Sequence, residues 1–191
     1  MRNILVIDFE ATCWDKDLGV KPAREPYCSY PNEIIEFGVV LYSTEKKQVL
    51  GEFQSFVKPT FHPQLTDFCT ELTSITQQNV DSAPPFSEVL AQFVDTFDIK
   101  GDITDPMFCS MGDYDRYQLI DDCFKHSLDY PFAPGNHQNI KPLYREIKGV
   151  RKKSGRAIMN ALDLEWQGTQ HRGIDDARNY VRIIEALGWR L

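Results

Sequence analysis

Three clusters of acidic residues, well separated along the chain, hold the side chains that could do chemistry. In the first, Asp8 and Glu10 interrupt a β-branched-rich apolar run over residues 3 to 9. On a strand, positions i and i+2 send both carboxylates to one face, about 7 Å apart at the backbone. Burying two like charges side by side is costly unless something cationic sits between them. A hard divalent cation such as Mg²⁺ or Mn²⁺, which takes carboxylate oxygens, is the simplest such partner. The competing reading ends the strand at Ile7 and leaves both acids solvated in a loop.

In the second cluster, Ser110 to Asp115, a glycine allows a sharp turn and two acids, Asp113 and Asp115, open a helix. Acids in a first helical turn are favoured by the helix dipole in any protein. Spacing alone does not choose which of the two faces a site. In the third, His171-Arg172-Gly173-Ile174-Asp175-Asp176 sets an imidazole just before a helix with two acids in its first turn. A histidine there often caps a helix or lies on the surface. An imidazole, with an unperturbed pKa near 6.5, is also suited to taking a proton from water at neutral pH.

These clusters need a scaffold that brings them together. Residues 3–9, 33–42 and 49–57 have strand composition and predict three neighbouring strands. Residues 65–80 turn to helical spacing, with Phe68, Leu72 and Ile75 on one face. Residues 86–97 repeat Phe86, Val89, Leu90, Phe93, Val94 and Phe97, a broad apolar face suited to packing on a sheet. A fourth strand over 106–111 runs into a helix over 113–126, and further helices are predicted over 140–148, 156–162 and from Ile174 to Leu187. A strand meander followed by helices, with a later strand returning through a helical crossover, describes an α/β domain.

The chain has 191 residues, room for one domain with a substantial core, and no apolar stretch near the roughly 18 residues of a membrane span. The opening MRNILVIDFEAT reads as a first strand and not a signal peptide, so a cytoplasmic location is expected. Five cysteines without a C-x-x-C pair argue against a disulfide framework or structural zinc site and predict reduced, mostly buried thiols. Of the thiols that could react, Cys28, in the Pro-rich loop from Asp15 to Asn32, is the foremost, although nothing nearby supplies the base a catalytic thiol needs; that loop could act as a substrate lid or be a plain surface loop. The formal charge of −7 runs against nucleic-acid binding, but the carboxylates of a loaded two-metal site count towards it.

Taken together, the clusters resemble the DEDDh exonuclease superfamily, which includes RNase T and the proofreading exonucleases of DNA polymerases. The first motif stands as Asp8-Phe9-Glu10-Ala11-Thr12, the second ends in Asp115, and the third has His171 and Asp176 five positions apart. The resemblance is most detailed to the Eri-type 3′ exoribonucleases, through DFEATCW at 8–14, NEIIEFGVV at 32–40, ELTSIT at 71–76, GDYD at 112–115 and HRGIDDARN at 171–179. Two departures are visible: Met111 where many relatives carry tryptophan, and Ser74 in place of the usual glycine.

What the resemblance implies is an RNase H-like mixed sheet of about five strands flanked by helices. Because it covers nearly the whole chain, a single exonuclease domain over 1–191 is expected, without the additional nucleic-acid-binding domain that some Eri-type proteins carry. It favours Asp115 over Asp113 and Asp176 over Asp175. Asp8, Glu10, Asp115 and Asp176 would hold two divalent cations, Mg²⁺ or Mn²⁺, and His171 would serve as general base in 3′-to-5′ hydrolysis. The terminal nucleoside would rest against Phe9, Glu10 and Ala11, with Met111 and His171 close by, although Phe9 is also an ordinary core residue. RNA is the expected substrate and DNA the alternative, single-stranded or with a 3′ overhang. The basic run 148–156 could track the upstream backbone or be merely solvated, and Arg116 could touch a phosphate or pair on the surface. Two rival readings are a non-catalytic binding module with an exonuclease fold and a phosphoesterase of small nucleotides.

Overall fold

The structure, a computed structural model, describes residues 3–15 and 31–189. The expected loop over 15–32, with Cys28, falls almost entirely outside the described residues. Strand β1 (Ile4–Ala11) is followed by β2 (Ile34–Ser43) and β3 (Gln48–Phe56), then by helices α1 (Asp67–Thr73), α2 (Gln77–Asp81) and α3 (Phe86–Thr96). Strand β4 (Met107–Ser110), α4 (Tyr114–Lys125), β5 (His137–Asn139), α5 (Ile140–Lys148), α6 (Gly155–Ala161) and α7 (Gly173–Leu187) complete the described order.

The strands form one five-stranded sheet in the order β3-β2-β1-β4-β5. β1 and β2, and β2 and β3, pair antiparallel as the expected meander. β4 returns through the helices α1 to α3 to lie parallel to β1, and β5 lies parallel to β4. This is the mixed, RNase H-like sheet that the sequence leads one to expect. β1 is central and buried on both faces, which is why its apolar residues run almost without a break.

Alternation along β1 divides the core. Ile4 and Val6 face a cluster completed by Tyr144 of α5, Ile158 of α6 and Ala177, Val181 and Ile184 of α7. Leu5, Ile7 and Phe9 face the opposite cluster, built with Phe86, Val89 and Phe93 of α3 and Leu119 of α4. Buried acids fasten the start of β2. Glu33 accepts hydrogen bonds from the backbone N–H groups of Thr60, Phe61 and His62, and Asp122 of α4 accepts one from Ile34 at 2.7 Å.

Two expectations need correcting. The helix predicted over 65–80 is two short helices, because Ser74 takes the left-handed conformation (φ 61°) and Thr76 then caps the next helix. Phe68 and Leu72 are exposed, and Cys69 and Thr73 are the buried residues of α1. The reading that ends β1 at Ile7 also fails, since the strand continues to Ala11 and carries both acids. Among the described residues Cys13, Cys69, Cys109 and Cys123 are free thiols. Also among the described residues, no helix is long and apolar enough to cross a membrane.

Candidate active site

On β1, Asp8 and Glu10 fall on the same side of the pleat as Ile4 and Val6, so they face the layer that holds α7. In the antiparallel ladder Asp8 pairs with Gly38 and Glu10 with Glu36. The start of α7 lies directly on this register. A Cβ on Gly38 would come within 1.9 Å of the Gly173 carbonyl carbon, and a Cβ on Gly173 within 2.7 Å of the Asp8 carbonyl oxygen. Only two glycines allow this approach.

The contact delivers the third cluster to the first. His171 adopts a left-handed backbone (φ 59°) that turns the chain into α7, and Asp176 follows in the helix. Potential ligand atoms of Glu10, His171 and Asp176 all lie within 4.8 Å of one another. The second cluster arrives from β4. Ser110 Oγ donates to the Gly112 carbonyl at 2.8 Å and lies 2.9 Å from His137 Nε2. Gly112 (φ 132°) then turns the chain into α4, and Asp115 Oδ1 accepts the backbone N–H of Phe9 at 3.1 Å. Asp115 is thereby tied to the strand that carries Asp8 and Glu10.

The alternatives open in the sequence separate clearly. Asp115 and Asp176 are buried, whereas Asp113 is half exposed beside His137, and Asp175 accepts from Arg178 and from the Thr169 backbone N–H. The expected substrate contacts offer less surface. The Phe9 ring packs edge-on to Phe37 and Phe108 in the core of the other face, so Phe9 presents its backbone to this side. Ala11 is buried at the end of β1, and Met111 joins the core cluster that contains Ile174 and Ala177. Arg116 makes no ion pair among the described residues. It lies over the Tyr117 ring, 4.5 Å from the centroid, with Nε buried and unpartnered.

The electrostatics of this arrangement are unfavourable for bare carboxylates. Burial and then Asp115, Glu10 and Asp176 push Asp8 well above the usual range. Burial, Asp176 and Glu36 push Glu10 up to about 9. Burial raises Asp176 to about 7 and Asp115 to about 6, the latter restrained by the Phe9 N–H and the charge of Lys141. Asp176 Oδ1 is buried with no hydrogen-bond partner among the described residues. Converging carboxylates with an unpartnered oxygen and an adjacent imidazole suit hard divalent cations, so the donor set fits the expected metals. Burial lowers the pKa of His171, keeping its ring neutral and able to accept a proton.

Three residues that motif reasoning passed over also belong here. Glu36, fully buried beside Glu10, is paired with Arg172 and accepts the Gly173 N–H at 3.0 Å. A glutamate inside the apolar run IIEFGVV was the available signal. Tyr180 on α7 has its hydroxyl pushed up by burial and then by the four carboxylates. No spacing in the sequence ties it to them.

Comparison with known proteins accords with this geometry. The exonuclease family described as RNase_T matches residues 5–184. The chain is 37% identical over 194 residues to ERI1 exoribonuclease 3 of Mus musculus, covering 97% of this chain and 53% of the relative. It spans about half the length of the first curated relatives it matches. The nuclease domain of 3'hExo, a DEDDh family member solved bound to rAMP, superposes with a TM-score of 0.82 at 33% identity, covering 95% of this chain and 89% of that one. A 3'-exonuclease whose structure concerns 3'-end specific recognition of a histone mRNA stem-loop gives a TM-score of 0.81 at 32% identity, covering 95% and 79%. With a family match along nearly all of its length and a close structural counterpart among the DEDDh nucleases, the chain belongs to the DEDDh exonuclease family.

Proposed function

We propose that this chain, as one exonuclease domain, removes nucleotides from the 3′ end of RNA, single-stranded or with a 3′ overhang, and releases 5′-monophosphates. The observation that carries the proposal is the convergence of Asp8, Glu10, Asp115, Asp176 and His171 from three distant segments on one face of β1. The relative whose structure concerns recognition of a histone mRNA stem-loop and the one solved bound to rAMP support RNA over DNA.

In this reading a water oxygen attacks the terminal phosphorus, the bond from phosphorus to the 3′ oxygen of the preceding nucleotide breaks, and that oxygen leaves with a proton. Divalent cations held by the four carboxylates, Mg²⁺ or Mn²⁺, would supply positive charge that acidifies the water and offsets charge on the phosphate. His171 takes the water's proton on its imidazole, a role open to it because burial keeps the ring neutral. The Phe9 N–H holds Asp115 in place, and the left-handed turn at His171 aims the ring beside Glu10 and Asp176. The terminal nucleoside rests against the β1 backbone from Phe9 to Ala11 and the edge of Met111, between Glu10 and His171. A cytoplasmic setting belongs to the same proposal.

The test is degradation of 5′-labelled RNA and matched DNA by the wild type and His171→Ala, with and without Mg²⁺ or Mn²⁺. A metal-dependent ladder shortening from the 3′ end, slowed about 10²- to 10⁴-fold in the variant, is expected. No cleavage of either strand with either metal would overturn the proposal.

A further inference from the structure

Next to the carboxylate cluster the surface holds a second feature that catalysis as described above does not use. A cleft of about 740 Å³ opens between the turn at Gly112, the start of α5 and the segment after Val150. Its charged lining consists of Lys141, Arg145, Arg151, Lys152 and Lys153 against a single acid, Asp113. Lys141 and Arg145 lie one turn apart on α5, at i and i+4, and so share a helix face.

Five cations gathered in one concavity repel one another, and this chain carries a net charge of −7 with which it could have neutralised them. It does not. Among the described residues none of the five has a carboxylate within ion-pair distance, whereas Arg172 and Arg178 on the α7 side are each paired. Arg145, Arg151 and Lys153 are exposed and Lys141 and Lys152 half buried, so their heads are available to a ligand. The cleft also adjoins the site. Gly112 and Asp113 line it two residues before Asp115, the Lys141 ammonium stands 3.4 Å from where a Gly112 Cβ would be, and its charge is felt by Asp115.

The geometry points to this cleft as the binding site for the phosphodiester backbone of the strand upstream of the cleaved nucleotide. An unpaired cationic concavity that borders the carboxylates suits a polyanion whose 3′ end reaches them. The inference rests on the exonuclease reading for its direction. It assigns to Lys141 and Arg145, on a helix, a role that the basic run after Lys148 would share.

The test measures binding and turnover separately. In a His171→Ala background, which keeps strands intact, fluorescence anisotropy reads the affinity of strands from a dinucleotide upward for the parent and for Arg145→Glu/Arg151→Glu/Lys153→Glu. The parent is expected to bind longer strands more tightly. The triple variant should lose about tenfold or more on the longest strand, and its salt slope should fall by about 2. RNA and DNA should lose the same factor, since the side chains meet phosphates and not sugars. With His171 restored, dinucleotide turnover should be unchanged. The neutral Arg145→Gln/Arg151→Gln/Lys153→Gln should give an intermediate loss, which a folding defect specific to the reversed charges would not. Unchanged affinity and salt slope in both triple variants, or a loss confined to one sugar, would overturn the inference. Failure of the wild type to cleave any strand would instead count against the exonuclease reading and leave the binding result standing.

Discussion

Arg172 grips Glu36 with two hydrogen bonds, Nε to Oε2 at 3.1 Å and Nη2 to Oε1 at 3.0 Å, and so pairs a fully buried acid directly across the ladder from Glu10. Gln54 Nε2 also donates to Glu36 Oε1 at 2.9 Å, so both carboxylate oxygens are satisfied. The pair does two things for the site. It partly offsets a negative charge that stands beside four others, and it anchors the residue that follows His171.

Removing the cation alone should therefore be worse than removing both partners. Arg172→Met is expected to cost about 3 to 5 kcal/mol, because it strands a buried carboxylate. Arg172→Met/Glu36→Gln should recover part of that loss. Arg172→Lys should fall between, since an ammonium cannot reproduce the fork. Urea unfolding of the four proteins checks the order, and equal stability of the single and double variants would contradict it.

Without metal the carboxylates make stability depend on pH in a definite direction. Glu10 rises from 4.5 to about 9, Asp176 to about 7 and Asp115 to about 6, so between these limits the folded chain holds more protons than the unfolded one. Stability from these groups is fully present below their ordinary values and is lost as pH rises through the raised ones. In chelator the melting temperature should fall from pH 4.5 towards 9, and Mg²⁺ or Mn²⁺ should raise it most at the alkaline end. A metal response that is flat across this range would contradict the assigned ligands.

Neighbouring acids should separate by function. Asp115→Asn and Asp176→Asn are expected to lower kcat by more than about 100-fold, since even outer partners of metal ligands cost 10- to 100-fold. Asp113→Asn should stay near wild type. Asp175→Asn should lose only about 1 kcal/mol of stability, from its contacts to Arg178 and Thr169. Steady-state kinetics paired with thermal melts distinguishes the four.

Ser74 holds a left-handed conformation at the end of α1, where a side chain costs roughly 1 to 2 kcal/mol relative to glycine. Ser74→Gly should raise stability by about 1 kcal/mol and leave turnover unchanged. A thermal melt with a rate assay checks both.

The sequence announced those parts of the fold in which local pattern and tertiary demand agree. β1, β2, α3, α4 and α7 are long or strongly apolar, and the bounds their patterns predict lie within a few residues of those observed. β5 escaped because His137, Gln138 and Asn139 are polar and only half buried, and it exists because β4 offers it a free edge. α1 and α2 read as one helix because a single serine at a positive φ leaves no mark on the periodicity. The site residues were nameable through the family motifs, yet spacing was silent on Asp113 against Asp115. A hydrogen bond to Phe9, 106 residues away, separates those two. Contacts between distant segments, such as Arg172 with Glu36 or Asn32 with Gln118, leave no local trace.

The two glycines that let α7 touch the sheet bear on how the molecule could lose activity. Because the backbones meet at Gly38 and Gly173 with no side chain between them, α7 has no room to move closer to the sheet at this point, and any side chain placed there would push it away. The fourth carboxylate, Asp176, sits in that helix, and the imidazole of His171 lies two residues before its start. On the exonuclease reading, a substitution that lifts this helix from the sheet would take both groups out of the site together, where a change at either residue would remove only one.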